Sequence, residues 1–156
     1  MDQLSKPNRK RLRLDSWDYS NSGAYFVTIC TQSKQALFKG IEVREMILYW
    51  WESLEDRFNN VCIDEFIIMA DHLHGIVWIL EDNTVQKKSP TVSKIIQWFK
   101  TMSTNAYIRG LYEQGWCEFE GRLWQRGFYD RIIRNEKELT AIREYIRSNP
   151  ERLSGA

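Results

Sequence analysis

The stretch "VCIDEFIIMADHLHGIVWIL", residues 61–80, is two apolar runs parted by a short break at Ala70-Asp71. The first run carries Ile63, Phe66, Ile67 and Ile68, and the second carries Ile76, Val77, Trp78 and Ile79. Runs of β-branched and aromatic residues of this length predict strands, and so short a break predicts an antiparallel hairpin. The same reading decides the status of the chain's two histidines, His72 and His74. On a strand, side chains two apart point to one face, so both imidazoles can converge on one ion. On a helix the same spacing sends them apart. The pair is therefore either half of a metal site or two separate histidines hydrogen-bonded near the core.

Working outward, "SNSGAYFVTICTQ" predicts a strand over 24–31 after the turn residues around Gly23. "GIEVREMILYWWESLEDRF" places Val43, Ile47, Trp50 or Trp51, Leu54 and Phe58 at helical spacing. After the hairpin, "EDNTVQKKSP" at 81–90 is a polar loop. A second helix follows, with Val92, Ile95, Ile96, Phe99, Met102, Ala106 and Leu111 on its apolar face, ending near Gly110 or Gly115. A short strand is expected over 128–133. The last helix starts at Asn135, with Glu138 three residues on as in a capping box, buries Leu139, Ile142 and Ile146, and is expected to stop at Pro150. The order β-α-β-β-α-β-α implies an α+β fold of ferredoxin-like or RRM-like type. It would be an antiparallel sheet with helices on one face and an added C-terminal helix.

Length and composition agree with one domain over 1–156: 43% of residues are hydrophobic and 28% charged. The net charge of +1 says nothing by itself about partners. Residues 1–14 form a basic arm, with its charge in "NRKRLR" at 8–13, read either as a solvated end or as a phosphate-contacting arm. The three cysteines form no CxxC pair, which argues against a disulfide framework and a zinc ribbon. No apolar run approaches the roughly 20 residues of a membrane span, and no signal peptide is expected. A cytoplasmic location follows as the expectation.

On the last helix, Tyr145 and Asn149 lie four apart and share a face. Alone, they read as a boundary tyrosine and a helix cap. Their surroundings are basic: between 122 and 152 there are eight Arg and Lys against five Asp and Glu. Arginine recognises phosphate through a two-pronged fork, and Trp124, Phe128, Tyr129 and Tyr145 are interleaved with these arginines. Basic and aromatic residues so mixed suit single-stranded nucleic acid.

The segments "HLHGIVWI", "LWQRGFYDRIIRNEKEL" and "IREYIRSNP" together resemble the single-tyrosine HUH transposases, most of all the REP-associated tyrosine transposases of the IS200-like kind. "RKRLRLDSWDYSNSGAYFVTICT" and "SKIIQWFKT" are similar to that family too, so five segments agree in order over residues 8–153. The resemblance implies that His72 and His74 bind a divalent ion, Mg²⁺ or Mn²⁺, with Asn149 as a third ligand. It implies that Tyr145 is the nucleophile, carried by the C-terminal helix, which cuts hairpin-containing single-stranded DNA and forms a 5′-phosphotyrosine link. The free 3′-hydroxyl can then reverse the reaction, without ATP. The chain would be a monomer or a homodimer, in a bacterial, nucleoid-associated setting. Arg11, Lys94, Arg126, Arg131, Arg134 and Arg143 are candidate DNA contacts, and Lys87, Lys88 and Lys100 could join them.

The chain departs from the family at Ala70-Asp71, where Pro-Asn is usual; Asp71 is then a candidate to orient a histidine. Tyr129, in "GFYD", is the rival nucleophile. Two other functions stay open. One is a hairpin-DNA binding protein that no longer cuts. The other is a small-molecule metal hydrolase, which explains neither the arginines nor the matched segments.

Overall fold

The computed structural model describes residues 22–81 and 90–155, with side chains to 149. Four strands form one sheet: β1 (Gly23–Cys30), β2 (Val61–Ile68), β3 (His72–Ile79) and β4 (Tyr129–Ile133). Their order is β2-β3-β1-β4, and every pairing is antiparallel. The helices are α1 (Ile41–Glu52), extended past Ser53 by the turn Leu54–Arg57, then α2 (Val92–Gln114) and α3 (Glu136–Gly155). This is the expected ferredoxin-like arrangement with one helix added.

Strand alternation divides the core in two. Val27, Ile29, Ile63, Leu73, Val77 and Ile79 face α1 and α2. Ala24, Ile76, Trp78 and Ile133 face the other way and are covered by Leu139 and Ile146 of α3. Of the two adjacent tryptophans of α1, Trp51 is the buried one. It lies so close under β3 that a Cβ on Gly75 would stand 2.6 Å from its ring, so the residue after His74 has to lack a side chain.

Local signals end and start the helices largely as read. Thr91 caps α2 by accepting from the Lys94 N–H at 3.1 Å, and Gly115 closes it with a left-handed φ of 72°. Asn135 Oδ1 accepts from the Glu138 N–H at 2.8 Å. The return bond of a capping box is displaced by one residue, because Glu138 Oε1 accepts from the Arg134 N–H instead. Pro150 is a correction: α3 does not stop there but runs to Gly155. A proline removes one backbone donor and crowds one carbonyl, a local cost that leaves the helix before it docked by its apolar face. Asn149 is thus an interior helix residue and not a cap.

The β2–β3 hairpin has one irregularity. Ile63 pairs with Val77 but Phe66 pairs with Gly75, so β2 carries an extra residue there. This bulge holds Asp64 and Glu65, the two acids of an otherwise apolar strand. No helix among the described residues is long and apolar enough to cross a membrane.

Candidate functional site

His72 and His74 lie on the sheet face that α3 covers, with ring centroids 4.6 Å apart. Across the ladder, His74 is opposite Thr28 and His72 opposite Cys30. Each imidazole is held through its Nδ1. That of His74 hydrogen-bonds Thr28 Oγ1 at 2.9 Å, and that of His72 lies 2.6 Å from Asp71 Oδ1. Fixing Nδ1 sets the ring orientation and leaves Nε2 as the free ligating atom. The turn supplying Asp71 is tied down by backbone: Thr31 N–H donates to the Asp71 carbonyl at 3.0 Å and Phe38 N–H to that of Ala70 at 2.9 Å. The unusual dipeptide at 70–71 therefore sits in a well-held turn.

From the other side, α3 brings Tyr145 to His74, with ring centroids 5.5 Å apart, and to Phe26 at 6.3 Å. Phe26 also stacks on His74 at 5.6 Å, so the three rings form one wall. One helical turn on, Asn149 is only 2% exposed. Its Nδ2 is buried without a hydrogen-bond partner among the described residues. A buried, unsatisfied amide is costly unless something else satisfies that group.

The helix is pinned to the sheet on both sides of Tyr145. Arg143 donates to Asp64 through Nε at 3.0 Å and Nη2 at 2.7 Å, and Trp78 Nε1 donates to Asp64 Oδ2 at 2.9 Å. Arg147 Nη2 donates to Glu65 Oε2 at 3.0 Å. The bulge of β2 thus grips α3 at two positions four apart. Burial alone would push the Asp64 carboxyl up, but the hydrogen bonds from Arg143 and Trp78 outweigh it and hold it below its ordinary value.

Burial, with His72 alongside, lowers the His74 pKa from 6.5 to about 4. Its imidazole is neutral at physiological pH, the form a metal ion needs. Because the folded value lies below the unfolded one, the unfolded chain binds more protons between these two pH values. The metal-free fold should gain stability as pH rises from about 4 to 6.5, and this contribution should be flat above that. Ring NMR titration tests the cause directly, since His74 should stay neutral at pH 5.

Two imidazole nitrogens and an amide oxygen suit a divalent cation of the Mg²⁺–Mn²⁺ type. No group of three or more His, Cys, Asp or Glu among the described residues could hold a metal, so the donor set rests on the amide of Asn149.

The candidate DNA contacts are scattered. Arg11, Lys87 and Lys88 lie outside the described residues. Lys94 and Arg126 are exposed. Arg131 pairs with Glu138 at 3.1 Å, and Arg134 is near the same carboxylate. Arg143 is committed to Asp64. Lys100 is enclosed by three carbonyls, those of Gln125 at 2.8 Å, Arg126 at 3.1 Å and Gly127 at 2.8 Å. Tyr129 is 68% exposed. It shares the histidine face, opposite Thr28 in the row that leads to His74. The sequence reading missed Thr28 and Asp64. The second had a visible signal, an acidic pair inside an apolar strand.

Residues 19–149 match the family model described as "Transposase IS200 like". An uncharacterised protein of Haemophilus influenzae is 34% identical, over 92% of this chain and 88% of its own length. A candidate REP-associated tyrosine transposase of the same organism is 26% identical, over 85% of this chain and 73% of its own. Among solved structures, a REP-associated tyrosine transposase bound to a REP hairpin superposes with a TM-score of 0.64 at 19% identity, covering 87% of this chain and 71% of that one. A candidate transposase from Deinococcus radiodurans R1 superposes at 0.54 with 15% identity, covering 85% of this chain and 94% of that one.

Proposed function

The chain belongs to the IS200-like transposase family, and from that premise we propose that it is a metal-dependent, single-stranded DNA endonuclease and strand transferase with Tyr145 as nucleophile. The observation that carries this reading is the meeting of Tyr145 with His74 across the sheet–helix gap, with ring centroids 5.5 Å apart. Asn149, one turn along the same helix and buried, would add an amide oxygen to the two imidazoles.

His72, His74 and Asn149 would hold the divalent ion, which when bound draws charge from a non-bridging oxygen of the scissile phosphate. Asp71 and Thr28 fix the two imidazoles for that task. The hydroxyl oxygen of Tyr145 attacks phosphorus in line. A P–O bond to tyrosine forms, the bond to the 3′-oxygen breaks, and the phenolic proton passes through water to the leaving 3′-oxygen. A 5′-phosphotyrosine and a free 3′-hydroxyl result. The bond energy is kept in the phosphotyrosine, so attack by a 3′-hydroxyl rejoins DNA without ATP. The strand has to be single at the cut, because the phosphate enters between the sheet and α3. A hairpin with a single-stranded flank is the proposed substrate, a reading supported by the relative bound to a REP hairpin.

The test is incubation with a labelled hairpin oligonucleotide and Mn²⁺ or Mg²⁺. A covalent protein–DNA adduct that EDTA prevents is the expected result. Tight binding with no adduct under any metal would instead make the chain a hairpin-binding protein.

A further inference from the structure

The arginines between 122 and 147 fall into two groups. Arg131, Arg143 and Arg147 are spent on carboxylates, and Arg134 lies by Glu138. Arg122 and Arg126 make no side-chain hydrogen bond or ion pair among the described residues. Both line the same groove, of about 510 Å³, between α2 and the segment leading to β4. The opposite wall is a stripe of neutral hydrogen-bonding side chains on α2: Gln97, Thr101, Thr104 and Asn105. Their spacing puts them on one helix face.

The groove does not end blindly. A second hollow of about 360 Å³ shares Gln97, Lys100 and Arg126 with it and runs on to Phe128 and Asp130. The residue between those two is Tyr129, exposed on the histidine face. From Tyr129 the row crosses Thr28 to His74, two strand spacings or roughly 10 Å away. The groove and the histidines lie on opposite faces of the sheet, so a chain leaving the groove has to round the edge strand β4 to reach the candidate metal site.

The arginine-bearing wall is built to hold its shape. The ammonium of Lys100 satisfies its three donors on the consecutive carbonyls of 125–127, and its charge stands 5.8 Å from the Phe128 ring. Such an ammonium is not offered to a phosphate; it fixes the loop that offers Arg126.

We infer that this groove binds the single-stranded DNA flank next to the scissile phosphate, with Arg122 and Arg126 on its phosphates and the α2 amides and hydroxyls on base edges. Free guanidiniums facing neutral donors and acceptors are what a sugar–phosphate chain with exposed bases requires. Lys100 is the positioning residue of the groove. The assignment rests on the DNA strand-transfer reading given above.

The experiment compares binding of the full chain to a hairpin with a flank of about ten nucleotides and to the same hairpin without it, across salt concentrations. The wild-type chain should prefer the flanked hairpin by about tenfold or more. In an Arg122→Ala/Arg126→Ala double variant that preference should shrink to about threefold or less, and the salt slope should flatten by about 1.4 units for two lost single-strand phosphate contacts. Arg109→Ala, an exposed cation outside this groove, should leave both quantities alone. Lys100→Met should weaken the preference and flatten the slope by about half as much as the double variant, since it releases the loop that offers Arg126 and leaves Arg122 in place. An unchanged preference and slope in the double variant, or a wild-type chain indifferent to the flank, would overturn the assignment. Adduct formation by wild type, read in parallel, separates the two levels. A groove effect without adduct refutes the chemistry alone, and adduct without a groove effect refutes the groove alone.

Discussion

Replacing Tyr145 by phenylalanine is expected to abolish covalent attachment to DNA, with the rate falling by roughly a thousandfold or more, while the fold stays intact. The ring of Tyr145 packs edge-on to His74 and Phe26, and phenylalanine keeps those contacts. The residue is 41% exposed, so loss of the hydroxyl leaves no buried vacancy. Its effect on stability should stay within about 0.5 kcal/mol, as for surface substitutions elsewhere. Hairpin binding should persist, because the proposed phosphate contacts lie on other elements. Circular dichroism and a binding titration therefore serve as controls in the same preparation that fails to form the adduct. Tyr129→Phe should leave adduct formation in place. Tyr129 lies roughly 10 Å across the sheet from His74, where Tyr145 has its ring directly beside that histidine.

The second large effect should come from Asp64→Ala. Its side chain is 4% exposed and accepts two hydrogen bonds from Arg143, one from Trp78 and one from the Glu65 N–H. Removing one partner of such a pair leaves a partly buried guanidinium and an indole N–H unsatisfied, a loss of about 3–5 kcal/mol. Urea denaturation measures it. The functional consequence should be separate and larger than the stability loss implies, because the pair lies two residues before Tyr145 and sets the rotation of α3. At a temperature where the variant remains folded, adduct formation at saturating DNA should fall while affinity for the hairpin changes little. Arg147→Ala should show the same pattern more weakly, since its pair with Glu65 is exposed. The pH dependence has a definite sign. The Asp64 carboxyl titrates below its ordinary value in the folded chain, so its stabilisation is complete above that value and is lost as pH falls through the folded one.

These two residues also mark how far the sequence could be read. The hairpin, the shared face of His72 and His74, and the pairing of Tyr145 with Asn149 are matters of local period. Two residues on a strand and four on a helix suffice to derive them. That the histidine face is the one α3 covers follows from the same alternation, once β3 is registered against β1. Contacts between distant positions are different in kind. Asp64 meets Arg143 across 79 positions, and Thr28 meets His74 across 46. Both depend on strand register and on a one-residue bulge, which no periodicity encodes. For the same reason the arginines could be counted but not sorted. Arg143 reads like a phosphate contact until Asp64 is found beside it, and Arg122 and Arg126 look no different from Arg131 and Arg147 until those two are seen to be engaged. Pro150 misled because a breaking tendency is local, whereas the persistence of α3 is set by what the rest of that helix docks against.

The central claim is that Tyr145 is the residue to which DNA becomes attached. Protease digestion and mass spectrometry of the adduct formed with a labelled flanked hairpin test it most directly. The account predicts a nucleotide remnant on the peptide containing Tyr145, carried through its 5′-phosphate, in a sample where EDTA prevents the modification. A remnant on the peptide containing Tyr129, or one that forms equally well in the His72→Ala/His74→Ala variant, would contradict it.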